Sequence, residues 1–446
     1  MINILFIAFE FPPLSRGGVH RPLAFVKYLP QSDINPIVIT LDEESYPDVF
    51  DTYGYDEYLG KDIREKADLI PIKSDKAAHP SKLHNFLSIY FTIHGNETKN
   101  WKIRFNDAIK AAVKKFSPKA IFATVPPFSI LPLATEVAKK YKLPLILDFR
   151  DAWSQWRTVP YGTIFHYWKT LQMEGKYLRE ADAILATSEQ TLADFMKLHE
   201  NIPPGKLYYV PNGYNGLLKS WKTMKTYKNE FVIGYVGSFY YSPGAREQML
   251  QSRWRKRGHR IFQYIPHRQD WLYRSPYFFF RALKALNDSY PELGSKIKVR
   301  FAGKIHDWQK EMITSFGLEN QVELLGLISH SESLAFQENC DALLITSAKQ
   351  MGGKDYSIAG KTFEYLQMQK PIVAFVCEGA QKDILEKGGT ALICNPDNTE
   401  ESVQLLTGLF KGSINLCPNL EFLKGLSREA LAKQLAEIIN SLVQNI

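Results

Sequence analysis

Short apolar runs alternate along this chain with longer stretches in which apolar residues recur every three to four positions. The runs at 3–9, 35–40, 68–72, 119–124, 144–149, 182–187 and 206–210 are predicted strands. Segments such as KAIFAT and PLILDF lack polar alternation, as strands covered on both faces of a parallel sheet do. Helical periodicity fills 20–30, 101–116, 128–141, 164–180 and 189–199. Strand–helix–strand order implies right-handed crossovers and a doubly wound α/β domain over residues 1–217. A polar, lysine-containing stretch at 218–230 reads as a linker. The same grammar then restarts over 231–426, with strands at 231–239, 297–302, 321–325, 341–345, 371–376 and 391–394. Its helices are predicted at 276–289, 307–316, 331–338, 360–368 and 380–387. A last helix within 427–446 is expected to fold back toward the first domain.

The fold class expected is therefore α/β, with two doubly wound Rossmann-like domains facing across a cleft. Ligands in open α/β sheets bind beyond the carboxyl ends of the strands. The loops that follow strands are where chemistry should lie.

Composition changes this picture little. Apolar residues make up 45% and charged residues 23% of 446, ordinary values for a globular chain. No apolar run reaches the roughly 18–20 residues that span a bilayer. The start, MINILFIAFE, has no basic region ahead of its apolar run, so a cytoplasmic location is expected. Cys340, Cys377, Cys394 and Cys417 form no C-x-x-C pair and are expected to be buried free thiols.

Charge is more informative. The net charge is +8, and residues 241–274 hold eight Arg or Lys against only Glu247 and Asp270. Those cations are Arg246, Arg253, Arg255, Lys256, Arg257, Arg260, Arg268 and Arg274, interleaved with aromatics such as Trp254, Phe262 and Trp271. Three readings stay open for this insert: contact with anionic lipid headgroups, binding of an anionic acceptor or partner subunit, or a solvated loop packed by its own aromatics. It sits on no recognisable nucleic-acid module, so no nucleic acid is expected as partner.

Four loops carry candidate chemistry. FPPLSRGGVHRP (11–22) ends the first strand; Gly17 and Gly18 allow positive φ and close approach, and His20 and Arg21 stand beside them. Free amides at a glycine-rich helix start favour an anion. The alternative is a tight turn with solvated arginines. The spacing is not that of a G-x-G-x-x-G fingerprint. DFRDAW (148–153) puts Asp148 and Asp151 around Arg150 at a strand tip. Such carboxylates could orient a hydroxyl or accept its proton, or could cap a helix or pair with Arg150. Ser188 reads as the cap of the helix that follows it.

In the second half, YVGSF ends its first strand with Gly237 and Ser238. Ser275 and Pro276 read as N-cap and first residue of a helix, which puts Arg274 at its mouth. FAGK adds Lys304, and two cations on separate loops suit a diphosphate. The long string 352–375, GGKDYSIAGKTFEYLQMQKPIVAF, carries Gly360, Lys361 and Glu364 at the start of a helix. There Glu364 could accept ribose hydroxyls or satisfy the helix dipole.

Taken in order, FEFPP…GGVHR, LDFRDAW, ADAILATSE, VPNGYN, YVGSF, VELLG and GKTFEYLQMQKPIVAF resemble glycosyltransferase family 4, a family of two-Rossmann, B-type glycosyltransferases. The resemblance spans nearly the whole chain. It implies retaining transfer of a sugar from a nucleotide-sugar donor to the hydroxyl of a saccharide or lipid-linked acceptor, without a metal or other cofactor. Bacterial surface polysaccharide or glycolipid assembly, with peripheral membrane attachment, is the setting it suggests. Carried over, Gly17, Gly18, Gly237, Ser238, Gly360, Lys361 and Glu364 would bind the donor. Arg274 and Lys304 would neutralise the leaving diphosphate, and Asp151 would stand near the transferred sugar. His20, Arg21 and Arg150 would face the acceptor. Two departures stand out. Tyr356 replaces the first of the family's paired glutamates, with Asp355 and Lys354 as neighbouring substitutes. The insert 241–274 also separates YVGSF from YRSP. A nucleotide-sugar epimerase or hydrolase of the same fold, and a non-catalytic nucleotide-binding scaffold, are the rival functions.

Overall fold

The computed structural model describes residues 1–74, 98–155, 160–221, 230–252, 255 and 258–444. The chain divides into two compact units. The first comprises Met1–Asn212, residues 257–266 and residues 428–446, and the second comprises Gly213–Lys256 and His267–Ser427. The division falls before the expected linker 218–230, of which 222–229 lie outside the described residues.

The first unit is built on seven parallel strands, β1 (Ile2–Ile7), β2 (Ile34–Leu41), β3 (Asp68–Ile72), β4 (Ala120–Val125), β5 (Leu145–Phe149), β6 (Ala183–Ala186) and β7 (Leu207–Tyr209). Their order in the sheet is β3-β2-β1-β4-β5-β6-β7, so the winding reverses between β1 and β4. Successive side chains point to opposite faces of a strand. Accordingly Leu5, Ile7, Ile121 and Leu147 join one apolar layer, while Ile4, Phe6, Phe122 and Ile146 join the other. The second layer is closed by α1 (His20–Tyr28) and by the helix Arg428–Gln444, which contributes Leu431, Leu435, Ile438 and Ile439. Two longer helices used below, α2 (Ile164–Glu180) and α3 (Glu189–Leu198), follow β5 and β6.

The second unit repeats the winding with six parallel strands: β8 (Phe231–Val236), β9 (Ile297–Ala302), β10 (Val322–Gly326), β11 (Ala342–Thr346), β12 (Ile372–Phe375) and β13 (Ala391–Cys394). The sheet order is β10-β9-β8-β11-β12-β13, with its reversal between β8 and β11. Helix α4 (Tyr277–Ser289) buries Phe279, Phe280 and Leu283 on one face. On the other, α5 (Gly360–Met368) buries Phe363 and Leu366.

The insert is not a free loop. Ser242 caps a helix over Pro243–Leu250, and Arg246 forms a two-pronged pair with Asp270 at 2.6 and 2.8 Å. Gln269 and Asp270 pair antiparallel with Lys349 and Gln350. Residues 257–266 belong to the first unit, where Tyr264 and Tyr161 exchange two backbone hydrogen bonds of 2.9 Å. Of the expected basic residues, Arg253, Lys256 and Arg257, with Trp254, lie outside the described residues. All four cysteines are free, as expected; Cys340 and Cys394 are buried, Cys377 is half-buried, and Cys417 is exposed, contrary to expectation.

Candidate functional site

The loop after β1 turns out to be occupied by its own side chains. Arg21 is 4% exposed, and its guanidinium grips Asp148 through Nε (3.1 Å) and Nη2 (2.7 Å). Nη1 donates to the Pro211 carbonyl at 2.7 Å, and Thr124 donates to Asp148 at 2.8 Å. Arg21 is therefore part of a buried ion pair and not an exposed acceptor contact. Asp148 partners Arg21, not its neighbour Arg150. Arg150 folds over Gly18, stands 3.7 Å from Glu10 and donates to the Pro126 carbonyl. A Cβ on Gly18 would overlap the Arg150 guanidinium, whereas one at Gly17 would meet open space. Neither glycine adopts positive φ. The expected conformational reason is thus replaced by a packing reason at Gly18 and by none at Gly17.

His20 is exposed as the first residue of α1. Asp151 is half-buried just beyond β5, and no described residue hydrogen-bonds its carboxylate. Burial raises its carboxyl above the ordinary range, while the charge of Arg150 pulls the other way. Ser188 caps α3 as expected, accepting from Thr191 N at 3.2 Å. A further cluster had no signal in the sequence. Glu174 is fully buried, accepts from Ser154 N and Oγ, and lies 2.7 Å from His199 Nε2.

In the second unit the corresponding region is open. A cavity of about 120 Å³ sits where the sheet order reverses, lined by Tyr235 from the end of β8 and by Ile345 to Ala348 from the end of β11. Arg274, Asp355, Ser357, Lys361 and Gln381 complete its polar lining. It is smaller than the roughly 300–1,000 Å³ that holds a drug-sized ligand. Its size suits a phosphate group better than a whole nucleotide.

Lys361, in the first turn of α5, aims its ammonium at the face of Tyr235, 3.8 Å from the ring centre. Its Nζ is enclosed and has no hydrogen-bond partner. Burial lowers its pKa from the usual lysine value to about 7, against the raising influence of Glu364. Gly237 makes this approach possible. It adopts φ +93, and a Cβ there would lie 3.2 Å from Lys361 Nζ. Arg274 reaches the same cavity but stands 4.0 Å from Asp355 Oδ2, a loose pairing. Asp355 is 2% exposed and held by Ser357 N and Oγ (3.2 and 2.8 Å) and by Gln269 Nε2 (3.3 Å).

Several expected residues fall elsewhere. Lys304 is exposed and does not line the cavity; the second cation beside Arg274 is Lys361. Glu364 lies in the second turn of α5, not the first, accepts from Gln337 Nε2 at 3.4 Å and is also outside the lining. Ser238 contributes its carbonyl to Tyr235 Oη at 3.2 Å, and Gly360 is exposed at the start of α5. Helix α4 starts one residue later than expected, with Pro276 at the cap, although Ser275 Oγ still accepts from Tyr277 N at 3.2 Å. Tyr356 is buried and leaves no carboxylate at that position. Tyr235, Thr346, Ser347 and Gln381 were not singled out from the sequence. The reversal point between first and fourth strands would have found all but Gln381. Among the described residues no group of three or more His, Cys, Asp or Glu could hold a metal ion. No helix among them is long and apolar enough to cross a membrane.

Residues 23–215 match the family model described as Glycosyltransferase Family 4, and residues 278–421 match the one described as Glycosyl transferases group 1. No curated protein matches the chain. Among solved structures, the lipopolysaccharide outer core galactosyltransferase WaaB superposes with a TM-score of 0.58 at 14% identity, covering 99% of both chains. Sucrose-phosphate synthase from Thermosynechococcus elongatus gives 0.57 at 13% identity over all of both chains. UDP-GlcNAc 2-epimerase from Neisseria meningitidis, bound to UDP-GlcNAc, gives 0.51 at 11% identity, again over all of both. At such identities the likeness is one of fold.

Proposed function

Since the chain belongs to glycosyltransferase family 4, with the B-type pair of Rossmann-like domains, and is a glycosyltransferase, we propose that it transfers a sugar, of hexose type, from a nucleotide-sugar donor with retention at the anomeric carbon. One observation carries the assignment of the donor site: an enclosed, unpartnered Lys361 ammonium beside a loosely paired Arg274 at the sheet's reversal point. Two cations that lack a tight acidic partner call for an anion. The donor's diphosphate supplies one. As the bond from the anomeric carbon to the phosphate oxygen breaks, its electron pair goes to the diphosphate, and Lys361 and Arg274 stabilise the charge that develops there. The start of α5 adds the positive end of its dipole. In this reading no metal is needed for the leaving group.

The remaining roles follow the resemblance and are part of the proposal. Asp151 stands near the transferred sugar, Glu364 takes the ribose hydroxyls, and His20 faces the acceptor. The acceptor is the hydroxyl of a saccharide or a lipid-linked saccharide, in surface polysaccharide or glycolipid assembly at the cytoplasmic face of a membrane.

Thermal shift against UDP-, GDP-, ADP- and CMP-sugars tests the donor site. One donor class should raise Tm for the native chain and leave Lys361→Ala unmoved. No shift with any of the four at millimolar ligand would remove the nucleotide-sugar reading. Buried Tyr356, in place of a family glutamate, favours a second reading, in which the chain binds the nucleotide sugar as a non-catalytic scaffold. A donor that raises Tm but is never consumed, with or without a saccharide acceptor, would support the scaffold over the transferase.

A further inference from the structure

The second half of the insert lies beside the wall of the second unit's cavity. Gln269 and Asp270 run antiparallel to Gln350 and Lys349, and the Arg268 carbonyl accepts from Met351 N at 2.9 Å. The Arg274 carbonyl accepts from Thr346 Oγ1 at 3.0 Å. Residues 268–274 are thereby laid against 346–351, of which Thr346, Ser347 and Ala348 line the cavity. Successive side chains of an extended segment point opposite ways. Asp270 turns toward Arg246, which holds it with two hydrogen bonds, and its Oδ1 caps the turn Trp271–Arg274 by accepting from Leu272 N at 3.0 Å. Gln269 turns inward, 3% exposed, and donates from Nε2 to Asp355 Oδ1 at 3.3 Å. Its Oε1 accepts from Trp271 Nε1 at 3.3 Å, which fixes the orientation of the amide.

Arg274 is the side chain that this arrangement affects. A guanidinium and a carboxylate left to themselves close to about 2.7–2.9 Å, commonly as a two-pronged pair. Asp355 instead stands 4.0 Å from Arg274. Its Oδ1 takes hydrogen bonds from Gln269 Nε2 and Ser357 N, and its Oδ2 takes one from Ser357 Oγ. Uncharged donors thus hold a buried carboxylate close to a cation but short of contact. Ser357 is two residues from Asp355 and belongs to the same loop, whereas Gln269 brings its donor from the insert. A carboxylate that closed on Arg274 would neutralise the guanidinium ahead of any anionic ligand.

Resting on the donor-site reading above, we propose that the insert serves that site, with Gln269 as a positioning residue. Gln269 holds Asp355 away from Arg274, so that the guanidinium stays available to the donor's diphosphate. One segment then supplies both the cation and the amide that restrains its counter-ion. Arg246, through Asp270, fixes the turn from which Arg274 projects. The cations of the insert are in this way divided in use: Arg246 is spent on cohesion and Arg274 is kept for the ligand.

The test is calorimetry of the full chain with inorganic diphosphate as the probe, together with a ligand-free crystal structure of the main variant. Gln269→Met matches the native side chain in length but has no N–H to give. Its diphosphate affinity should fall on the order of tenfold, as the loss of a hydrogen bond to a charged group allows. Its structure should show Asp355 in direct contact with Arg274. Trp271→Phe removes only the group that orients the amide; it should act in the same direction but less, and it decides if Gln269→Met does not fold. A merely structural role for Gln269 would weaken binding whatever stands at position 355. Here Asp355→Asn/Gln269→Met should bind diphosphate as tightly as Asp355→Asn alone, because a neutral amide cannot cancel the charge of Arg274. Three results would overturn the proposal: native affinity in Gln269→Met, Asp355 still 4.0 Å from Arg274 in its structure, or an equal loss from Gln269→Met in the native and Asp355→Asn backgrounds. A native chain that binds neither diphosphate nor a nucleotide sugar would remove the donor-site reading instead, and the Gln269→Met structure would still decide what holds Asp355.

Discussion

In each unit the loop after the first strand holds a glycine that packs against a cation, yet the two cations meet different surroundings. After β1, Gly18 lies against Arg150, which has Glu10 and the Pro126 carbonyl as partners, and Arg21 close by is locked onto Asp148. After β8, Gly237 lies against Lys361, whose ammonium has only the face of Tyr235. Buried charge without a partner is costly, and it persists where a ligand of opposite charge completes it. A glycine packed against a cation thus accompanies a hydrogen-bonded guanidinium in the first unit and an ammonium without a hydrogen-bond partner in the second. Glycine and arginine at a strand end do not tell these uses apart; the count of satisfied donors does.

The largest effect that can break this comparison is at Arg21. Arg21→Met strands the buried Asp148 carboxylate and should cost about 3–5 kcal/mol of stability in chemical denaturation. A variant of native stability would mean that the pair is not holding the loop. Next comes Lys361→Ala, which should lower donor turnover on the order of 100-fold, about 2.7 kcal/mol, with little change in Tm. Equal losses of turnover and stability would put Lys361 in the same class as Arg21. Gly237→Ala meets both a left-handed backbone and the Lys361 ammonium. About 1–2 kcal/mol of stability should be lost, and donor affinity with it, whereas Gly17→Ala should be silent.

Protonation sharpens the contrast further. Lys361 has its pKa lowered to about 7 by burial. From there up to the ordinary lysine range, the folded chain binds fewer protons than the unfolded one. Its burial penalty is therefore complete below pH 7 and fades as pH rises. A diphosphate favours the charged form, so donor binding at pH 8 should take up about one proton and binding at pH 6 almost none. Calorimetry in buffers of different ionisation enthalpy reads that difference; equal uptake at both would exclude Lys361 as the receiving group. Smallest of all, Lys304→Ala should change turnover less than about twofold, since that side chain is exposed and does not line the cavity.

All thirteen principal strands were visible as apolar runs, and helices such as 164–180, 307–316 and 360–368 were found to the residue. Buried parallel strands are legible because both faces demand apolar side chains, so the run is unbroken. The insert was not legible, because Arg246–Asp270 and Tyr161–Tyr264 are pairings between residues far apart, with no period to betray them. The cavity of the second unit was half legible. Loop position singles out Arg274, Lys361 and Gly237, but it places Lys304 equally well. What separates Lys361 from Lys304 is that α5 begins at Gly360 and turns its first lysine inward over Tyr235. That is a matter of helix phase, which loop position does not encode. Arg21 misled for the opposite reason: its partner Asp148 lies over a hundred residues away, so its burial leaves no local trace.

The first unit is assembled from chain that is not contiguous. Phe6, Phe25 and Phe122 share a layer with Leu431, Leu435 and Ile439. During synthesis the strands and α1, which carry the three phenylalanines, are made about two hundred residues ahead of the helix that completes the layer. At about 5–20 residues per second the gap is on the order of ten seconds or more. For that interval the emerging chain presents an apolar surface only partly covered by α1, which makes it a natural client for chaperones that shield nascent apolar faces. A ribosome stalled within the second unit would leave the first one equally unfinished.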